Sequence, residues 1–249
     1  MDTYEEEEEG PEKGERKSQK AVKDMKTGFQ LEDNSSIIIC GGSKSGKTHF
    51  MIECINRFPD LYETSPVSTH YFYGVYQPIF DDLERDYGVI FEQGAPTLDN
   101  IDTICDGNTH AIILDDIMED VVNDRNLCKL FTQYSHHKRL NTYFLTQNLF
   151  QKGKYATTIT RNADYFVFTK SPRNIICVQN LGKQVGCASA IQEAYNDVLN
   201  HKHGILLLDL HSNTSPGMSI FGNIFDEPLI YIPNGYPVPE YIGGEGHTA

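Results

Sequence analysis

A glycine-rich stretch near the start of the chain has the residue types that bind phosphate. The stretch SIIICGGSKSGKTHF (residues 36–50) fits the template G-x-x-x-x-G-K-[ST]. Glycines let backbone N–H groups converge on phosphate oxygens, and the N-terminus of the following helix adds a favourable dipole. We therefore predict a nucleoside triphosphate site formed by Gly41, Gly42, Ser43, Lys44, Ser45, Gly46, Lys47 and Thr48.

Two residues of this stretch are assigned individual roles. Lys47 is expected to reach the β- and γ-phosphates, and the Thr48 hydroxyl is expected to ligate Mg²⁺. The alternative is a chance match in a glycine-containing turn. The match follows an apolar strand and opens an amphipathic helical pattern, which is the context that a phosphate-binding loop requires.

A pair of acids ends the apolar run AIILDD (residues 111–116). An acid at the carboxyl end of a buried strand beside the phosphate-binding loop can hold Mg²⁺, usually through water. A second acid next to it can polarise an attacking water. We assign Asp115 to Mg²⁺ and Asp116 to the general base. The alternative is an Asp that ends the strand and caps the next helix.

A third polar strand end is predicted in NTYFLTQN (residues 141–148), where Gln147 and Asn148 follow apolar residues. A side chain here could contact the γ-phosphate or the attacking water. Asp115 follows Lys47 by 68 residues, which leaves room for two strands with their helices. An inserted strand followed by a polar sensor strand is typical of hydrolytic motors, whereas nucleoside kinases and GTPases lack it. The chain also has no N-K-x-D guanine motif.

The elements that must position these residues alternate along the chain. Strands are predicted at 36–40, 69–73, 88–91, 111–114, 142–146, 165–169 and 205–210, and helices at 47–58, 78–87, 98–105, 121–134 and 188–199. This alternation predicts an α/β fold with a mainly parallel central sheet and helices on both faces. We divide the chain into a charged, disordered tail (1–28), a P-loop ATPase domain (29–230) and an irregular C-terminal tail (231–249).

Composition limits the possible partners and surroundings. The net charge is −14, and residues 1–12 hold seven acids and no base, so the rest is still at −7. Contact with nucleic acid should therefore be local. The six cysteines form no C-x-x-C, which favours reduced thiols inside a cell. No apolar run is long enough to span a membrane, and the acidic start is not a secretory signal.

Several stretches together resemble the genome-packaging ATPases of the poxvirus type, also encoded by Maverick/Polinton elements and adintoviruses, within the FtsK–HerA superfamily. The stretches that carry the resemblance are IIICGGSKSGKT, YFYGVYQPIFDDL, FEQGAPT, AIILDD, SHHKRLNTYFLTQNLFQKGK, TITRNADYFVFTKSPRN and GILLLDLHSNTSPGMSIFGNIF. They span residues 36 to 225 in the family's order. The combination of T-Q-N-L-F, R-N-x-x-Y and D-L-H-x-x-T is specific, whereas the phosphate-binding loop alone is generic.

The resemblance implies a RecA-like domain that binds ATP and Mg²⁺ and assembles into a homo-oligomeric ring, pentameric or hexameric. The ring would drive double-stranded DNA into a capsid, which makes a capsid protein or portal vertex a partner. The expected location is the host nucleus or cytoplasm, or the virion. Relatives often carry Glu where this chain has Asp116, and an Arg where it has Thr157. Arg161 is therefore our candidate for the finger arginine, with Arg173 as the alternative.

Other interpretations stay open at this stage. The stretch SHHKRL (residues 135–140) is either a solvated loop or a contact for DNA or a neighbouring subunit. The chain as a whole could also be a nucleotide or nucleoside kinase, or a nucleotide-dependent assembly protein without motor activity. Hydrolysis stimulated by DNA, together with oligomer size, would separate these classes.

Overall fold

The computed structural model describes residues 19–22, 29–225 and 228–237. Within them, ten strands form one sheet in the order β1-β10-β9-β8-β7-β2-β6-β5-β3-β4. The strands are β1 Gln19–Val22, β2 Ser36–Cys40, β3 Ser68–Tyr73, β4 Ile90–Gln93, β5 His110–Asp115, β6 Leu140–Thr146, β7 Tyr165–Thr169, β8 Ile205–Asp209, β9 Ile220–Gly222 and β10 Leu229–Ile232.

The sheet has a parallel part and an antiparallel part. Strands β7, β2, β6, β5, β3 and β4 are parallel, and β8, β9, β10 and β1 extend the sheet antiparallel beyond β7. Strand β2 lies between β6 and β7 in the middle of the parallel part. The carboxyl ends of the parallel strands meet at one side of the sheet, which we call the carboxyl edge, and their beginnings form the amino edge.

Helices cover both faces of the sheet. Between Lys47 and Val198 they are α1 Lys47–Asn56, α2 Phe58–Leu61, α3 Ile79–Tyr87, α4 Leu98–Ile104, α5 Met118–Asn123, α6 Arg125–Lys129, α7 Ser135–His137, α8 Ala156–Asn162, α9 Ile175–Gln184 and α10 Ala188–Val198. A π-helical turn, Leu130–Tyr134, joins α6 to α7. The predicted fold class, α/β with a mainly parallel sheet between helices, is confirmed.

Alternation along the central strand divides the core in two. Ile37 and Ile39 pack with helices α1 to α3 on one face, and Ile38 and Cys40 pack with α4 to α6 and α8 to α10 on the other. All five residues of β2 are buried, as expected for a parallel strand covered on both sides. The strand is therefore a rigid base for the loop that follows it.

Some predicted elements differ from the observed ones. The helix predicted at 121–134 is interrupted at Asp124, whose backbone is extended and whose carboxylate accepts from the N–H groups of Asn126 and Leu127. Asp124 thus caps a new helix, as a short acidic side chain readily does. Helices α8 and α9 were not predicted.

The domain boundaries stay a prediction. Strand β1 lies inside the tail predicted at 1–28 and pairs with β10, and β10 ends at Ile232, beyond the boundary predicted at 230. The acidic run at residues 5–9 and the end of the chain from 238 lie outside the described residues. No helix in the described part of the chain is long and apolar enough to cross a membrane.

Candidate active site

The glycine-rich loop leaves β2 at the carboxyl edge and turns into α1. Gly46, directly before the helix, has a φ of 100°, in the left-handed region that favours glycine. A Cβ on Gly41 would overlap the Oγ1 of Thr169 and the Oγ of Ser45. Those two hydroxyls are hydrogen-bonded at 2.6 Å, which ties the loop to the end of β7. Steric constraints thus explain why glycine occupies both fixed glycine positions of the template, 41 and 46.

Helix α1 presents its N-terminus and Lys47 to the same space. No side chain caps the helix, and its first turn holds no acid. The Nζ of Lys47 donates to the carbonyl oxygens of Gly41 at 2.8 Å and Gly42 at 3.2 Å. Burial lowers the pKa of Lys47, while the charges of Asp115 and Asp116 act in the opposite direction. The loop is thus an electropositive cradle beside two carboxylates.

Asp115 ends β5 as a buried acid, with 6% of its surface exposed. Its Oδ2 accepts a hydrogen bond of 2.7 Å from the Tyr71 hydroxyl on β3. Burial raises the pKa of the Asp115 carboxyl, while the Tyr71 hydrogen bond and the Lys47 charge lower it. A buried carboxylate held by a tyrosine and facing a lysine is well placed to ligate a hard cation.

Asp116 turns out of the sheet into solvent. Its φ is 59°, uncommon for a residue with a side chain, and a Cβ on Gly74 would overlap its carbonyl oxygen. Helix α5 begins at Met118, and its N-cap is Ile117, with no side-chain cap. The alternative that a strand-ending Asp caps the next helix is therefore wrong.

The structure brings most of the predicted residues around one cavity of about 330 Å³. The predicted residues that line it are Ser43, Lys44, Lys47, Thr48, Asp115, Asp116 and Gln147. Sequence reasoning missed Val75 and Gln77, which follow β3 at the same edge. Neighbouring parallel strands end together, so the polar Gln77 after the aromatic strand was the available clue. Asn148 instead accepts from the N–H of Phe150 and shapes the turn.

The two candidate arginines lie at opposite edges of the sheet. Arg161 lies in the last turn of α8, and the carbonyl of the next residue, Asn162, accepts from the hydroxyl of Ser36 at the start of β2. Arg161 is thus at the amino edge, outside the cavity of its own chain. Arg173 is exposed and follows β7 at the carboxyl edge, beside Asn174, which donates to the Cys40 carbonyl at 3.2 Å. Action of either arginine on a neighbouring subunit stays a prediction.

A second cavity, of about 270 Å³, lies on the other side of the first turn of α1. Its rings come from distant parts of the chain: His49 and His203 have centroids 5.1 Å apart, and Phe50 and Phe225 are 5.2 Å apart. Ser45, Gly46, Thr169 and Asn223 also line it. Glu53 and Arg57 belong to its lining as well, so the second cavity combines aromatic rings with one acid and one base, whereas the described residues that line the first include no aromatic ring.

Comparison with known proteins gives little at the level of sequence. No family model matches the chain, and no curated protein matches it. Two solved structures of the genome packaging NTPase B204 from Sulfolobus turreted icosahedral virus 2 are similar in fold. The complex with ATP-γS has 15% identity and a TM-score of 0.46, and the complex with AMPPCP has 14% and 0.43. Each comparison covers 73% of this chain and 95% of the other.

Proposed function

We propose that this chain is a Mg²⁺-dependent ATPase of the FtsK–HerA superfamily that packages a viral or virus-like genome by translocating double-stranded DNA. One observation carries the proposal: Lys47, Thr48, Asp115, Asp116 and Gln147 line a single cavity at the carboxyl edge. Strand order also supports it, because β3 and β5 are neighbours and β6 separates β5 from β2. The sensor strand β6 thus lies between the loop and the acids, where Gln147 shares their cavity.

The residues present fit a magnesium–nucleotide substrate. The free N–H groups at the start of α1 and the Lys47 ammonium would hold the phosphates. The Thr48 hydroxyl and the Asp115 carboxylate are the oxygen donors that Mg²⁺ prefers, and bound Mg²⁺ would neutralise charge on the phosphates. The ring-lined cavity next to the same helix turn is our candidate for the nucleoside.

Asp116 is the group best placed to accept a proton from water. It is exposed at the mouth of the cavity, whereas Asp115 is buried and already accepts from Tyr71. Gln147 shares the cavity and can orient the same water through its amide. This division of roles follows from exposure and hydrogen bonding, and it agrees with the roles assigned from the sequence.

The motor assembly is the wider part of the proposal. The chain would form a pentameric or hexameric ring inside the cell or in the virion, with duplex DNA and a capsid protein or portal vertex as partners. A kinase would need a phosphoacceptor site and an arginine-bearing lid. Neither cavity has an arginine from such a lid, since the one arginine among their lining residues is Arg57, which follows α1 directly.

The deciding experiment measures ATP hydrolysis with and without Mg²⁺ and duplex DNA, for the wild type and Lys47→Ala. We expect Mg²⁺-dependent turnover that DNA stimulates and that the substitution reduces by 10² or more, since a phosphate-binding cation commonly supplies about 3 kcal/mol to the transition state. The variant should remain folded, because the hydrogen bonds that Lys47 donates to the described residues go to loop carbonyls outside the core. Equal turnover in the two proteins would refute the assignment of this site. Hydrolysis at the same rate with and without duplex DNA would refute the proposed motor function.

A further inference from the structure

One continuous segment of this acidic chain carries only positive charge. Residues 125–163, between Asp124 and Asp164, contain seven Lys and Arg residues and no Asp or Glu. The whole chain is at −14 and this segment is at +7, so the remaining residues are at −21. A separation of charge this strong along the sequence indicates a surface for a polyanion.

The helices of the segment lie on one face of the sheet, and its strand β6 lies within the sheet. The segment comprises α6, the π-helical turn, α7, strand β6, the loop after it and α8, and α8 packs against the π-helical turn. Leu127, Phe131 and Ile159 bury the inner side in one core cluster. The exposed cations other than Arg161, the candidate finger arginine, form what we call the basic face: Arg125, Arg139, Lys152 and Lys154.

The described residues give the cations of the basic face no ion pair, and the Lys154 ammonium lies 5.2 Å from the centroid of the Tyr155 ring. Elsewhere in the described chain, Arg57 pairs with Glu53, and Arg85 pairs with Asp82 and Asp86. Within the segment, the described residues form one ion pair, between Lys138 and Asp102, at 2.7 Å. The Lys138 ammonium also lies 4.4 Å from the centroid of the Tyr134 ring. Lys138 is thus paired within the chain and is a weaker candidate for contact with DNA than the sequence alone suggested, whereas Arg139 of the same stretch SHHKRL belongs to the basic face.

Two lysines of the basic face are tied to the active site. They lie in the loop that begins at Gln147, and this loop is bonded to α5, which starts two residues after Asp116. The side chain of Gln151 donates to the Met118 carbonyl at 3.2 Å, and the N–H of Tyr155 donates to the Val122 carbonyl at 2.8 Å.

The same loop also lies close against α5 between the two lysines. The N–H of Lys154 donates to the Asn123 side chain at 3.1 Å, and a Cβ on Gly153 would overlap the Val122 side chain. A shift of Asp116 or Gln147 with the state of the nucleotide would therefore move Lys152 and Lys154.

We propose that the basic face binds the phosphate backbone of duplex DNA, with Lys152 and Lys154 as the contacts that respond to the nucleotide. This inference rests on the proposed function. The face runs from these lysines at the carboxyl edge to Arg139 at the amino edge, along the seven residues of β6, or about 23 Å. A span of this length covers several phosphates of a duplex, and phosphate contacts carry no sequence information.

The test compares the double variant Lys152→Ala/Lys154→Ala with two matched proteins. Lys152→Arg/Lys154→Arg keeps the charge, and Arg85→Ala/Lys183→Ala removes the same charge from exposed positions outside the segment. Fluorescence anisotropy measures the dissociation constant for a mixed-sequence duplex as a function of salt concentration. The duplex is about 30 bp long, which is enough to cover the face. Two lost phosphate contacts should reduce the log–log slope by about 1.8. DNA-stimulated turnover should fall, and turnover without DNA should stay at the wild-type rate.

The matched proteins and a second probe make the outcome decisive. Both matched variants should bind and respond to DNA like the wild type. A double alanine variant with the wild-type salt slope would overturn the inference while leaving the proposed motor intact. A wild type that hydrolyses ATP but binds no duplex would instead refute the motor. If the double alanine variant lost binding to poly-glutamate but bound DNA like the wild type, the partner would be an acidic protein, and the inference would also be overturned.

Discussion

The hydroxyl of Tyr71 on β3 donates a 2.7 Å hydrogen bond to the buried Oδ2 of Asp115 at the end of β5. Residues 71 and 115 lie on neighbouring parallel strands, and this bond orients the carboxylate that is the proposed magnesium ligand. The bond favours the ionised carboxylate against the effect of burial.

Tyr71→Phe should weaken the dependence of turnover on Mg²⁺, most strongly at low pH. Removal of the bond raises the pKa of Asp115 further, so protons compete better with the metal as pH falls. Hydrogen bonds to charged groups contribute about 1.5–3 kcal/mol, so a tenfold or larger rise in the Mg²⁺ concentration for half-maximal rate is expected at pH 6. Tyr73→Phe on the same strand is the control. An unchanged Mg²⁺ requirement at pH 6 would show that Tyr71 does not support the ligand.

Substitutions of the two acids should affect nucleotide binding and the hydrolysis step differently. Asp116→Asn should reduce turnover by 10² or more while Mg·ATP binds nearly as in the wild type, because the amide keeps the shape but cannot accept a proton. Asp115→Asn should weaken Mg²⁺-dependent nucleotide binding as well. Binding is measured by calorimetry and turnover by phosphate release. If Asp115→Asn slowed turnover alone and Asp116→Asn weakened binding, Asp115 would be the base and Asp116 the Mg²⁺ ligand.

Gly74→Ala should slow hydrolysis although residue 74 bears no reactive group. The added Cβ would overlap the carbonyl oxygen of Asp116, so the turn that aims Asp116 at the cavity must shift. Misplacement by about 1 Å can cost about 10²-fold in rate. Gly217→Ala is the matched control, because its Cβ would meet neighbours at 3.5 Å or more. Full activity in Gly74→Ala would mean that the position of Asp116 is not critical.

His211 should make stability depend on pH. Its ring is largely buried, which lowers its pKa, but the Asp209 carboxylate at 2.8 Å and the charges of Asp164 and Glu32 outweigh burial, so the pKa is raised. A raised folded-state pKa stabilises the protonated form. This contribution is complete below the unfolded value of about 6.5 and is lost as pH rises through the folded value.

Melting temperatures of the wild type and His211→Asn should therefore differ most near pH 5.5 and least near pH 8.5. His136→Asn, at an exposed position, provides the comparison. A difference that grows with pH would contradict the ion-pair account of His211.

The edge positions of Arg161 and Arg173 lead to a test with mixed subunits. Lys47→Ala subunits supply both arginines but no functional site, whereas Arg161→Ala or Arg173→Ala subunits supply a site. If a ring places an arginine at the neighbour's γ-phosphate, mixtures should regain part of the turnover, because such an arginine can contribute about 10³–10⁵ in rate. Recovery with only one of the two arginine variants identifies the finger. Mixtures that stay inactive with both exclude a role in trans for either residue.

The sequence by itself determined the parts of this protein that depend on neighbouring residues. Strand β2, the glycine-rich loop and the start of α1 form one local pattern, and an apolar run ending in two acids predicts a buried strand with Asp115 at its end. The alternation of strands and helices was enough for the fold class, since it needs only local periodicity.

The tertiary structure decided which distant side chains meet. The register of parallel strands brings Tyr71 to Asp115, and the sharp turn after β5 separates a buried Asp115 from an exposed Asp116. It also places Arg161 at the far edge from the loop and His203 beside His49. These relationships depend on strand order and side-chain direction across the folded sheet, and no short window of sequence contains either.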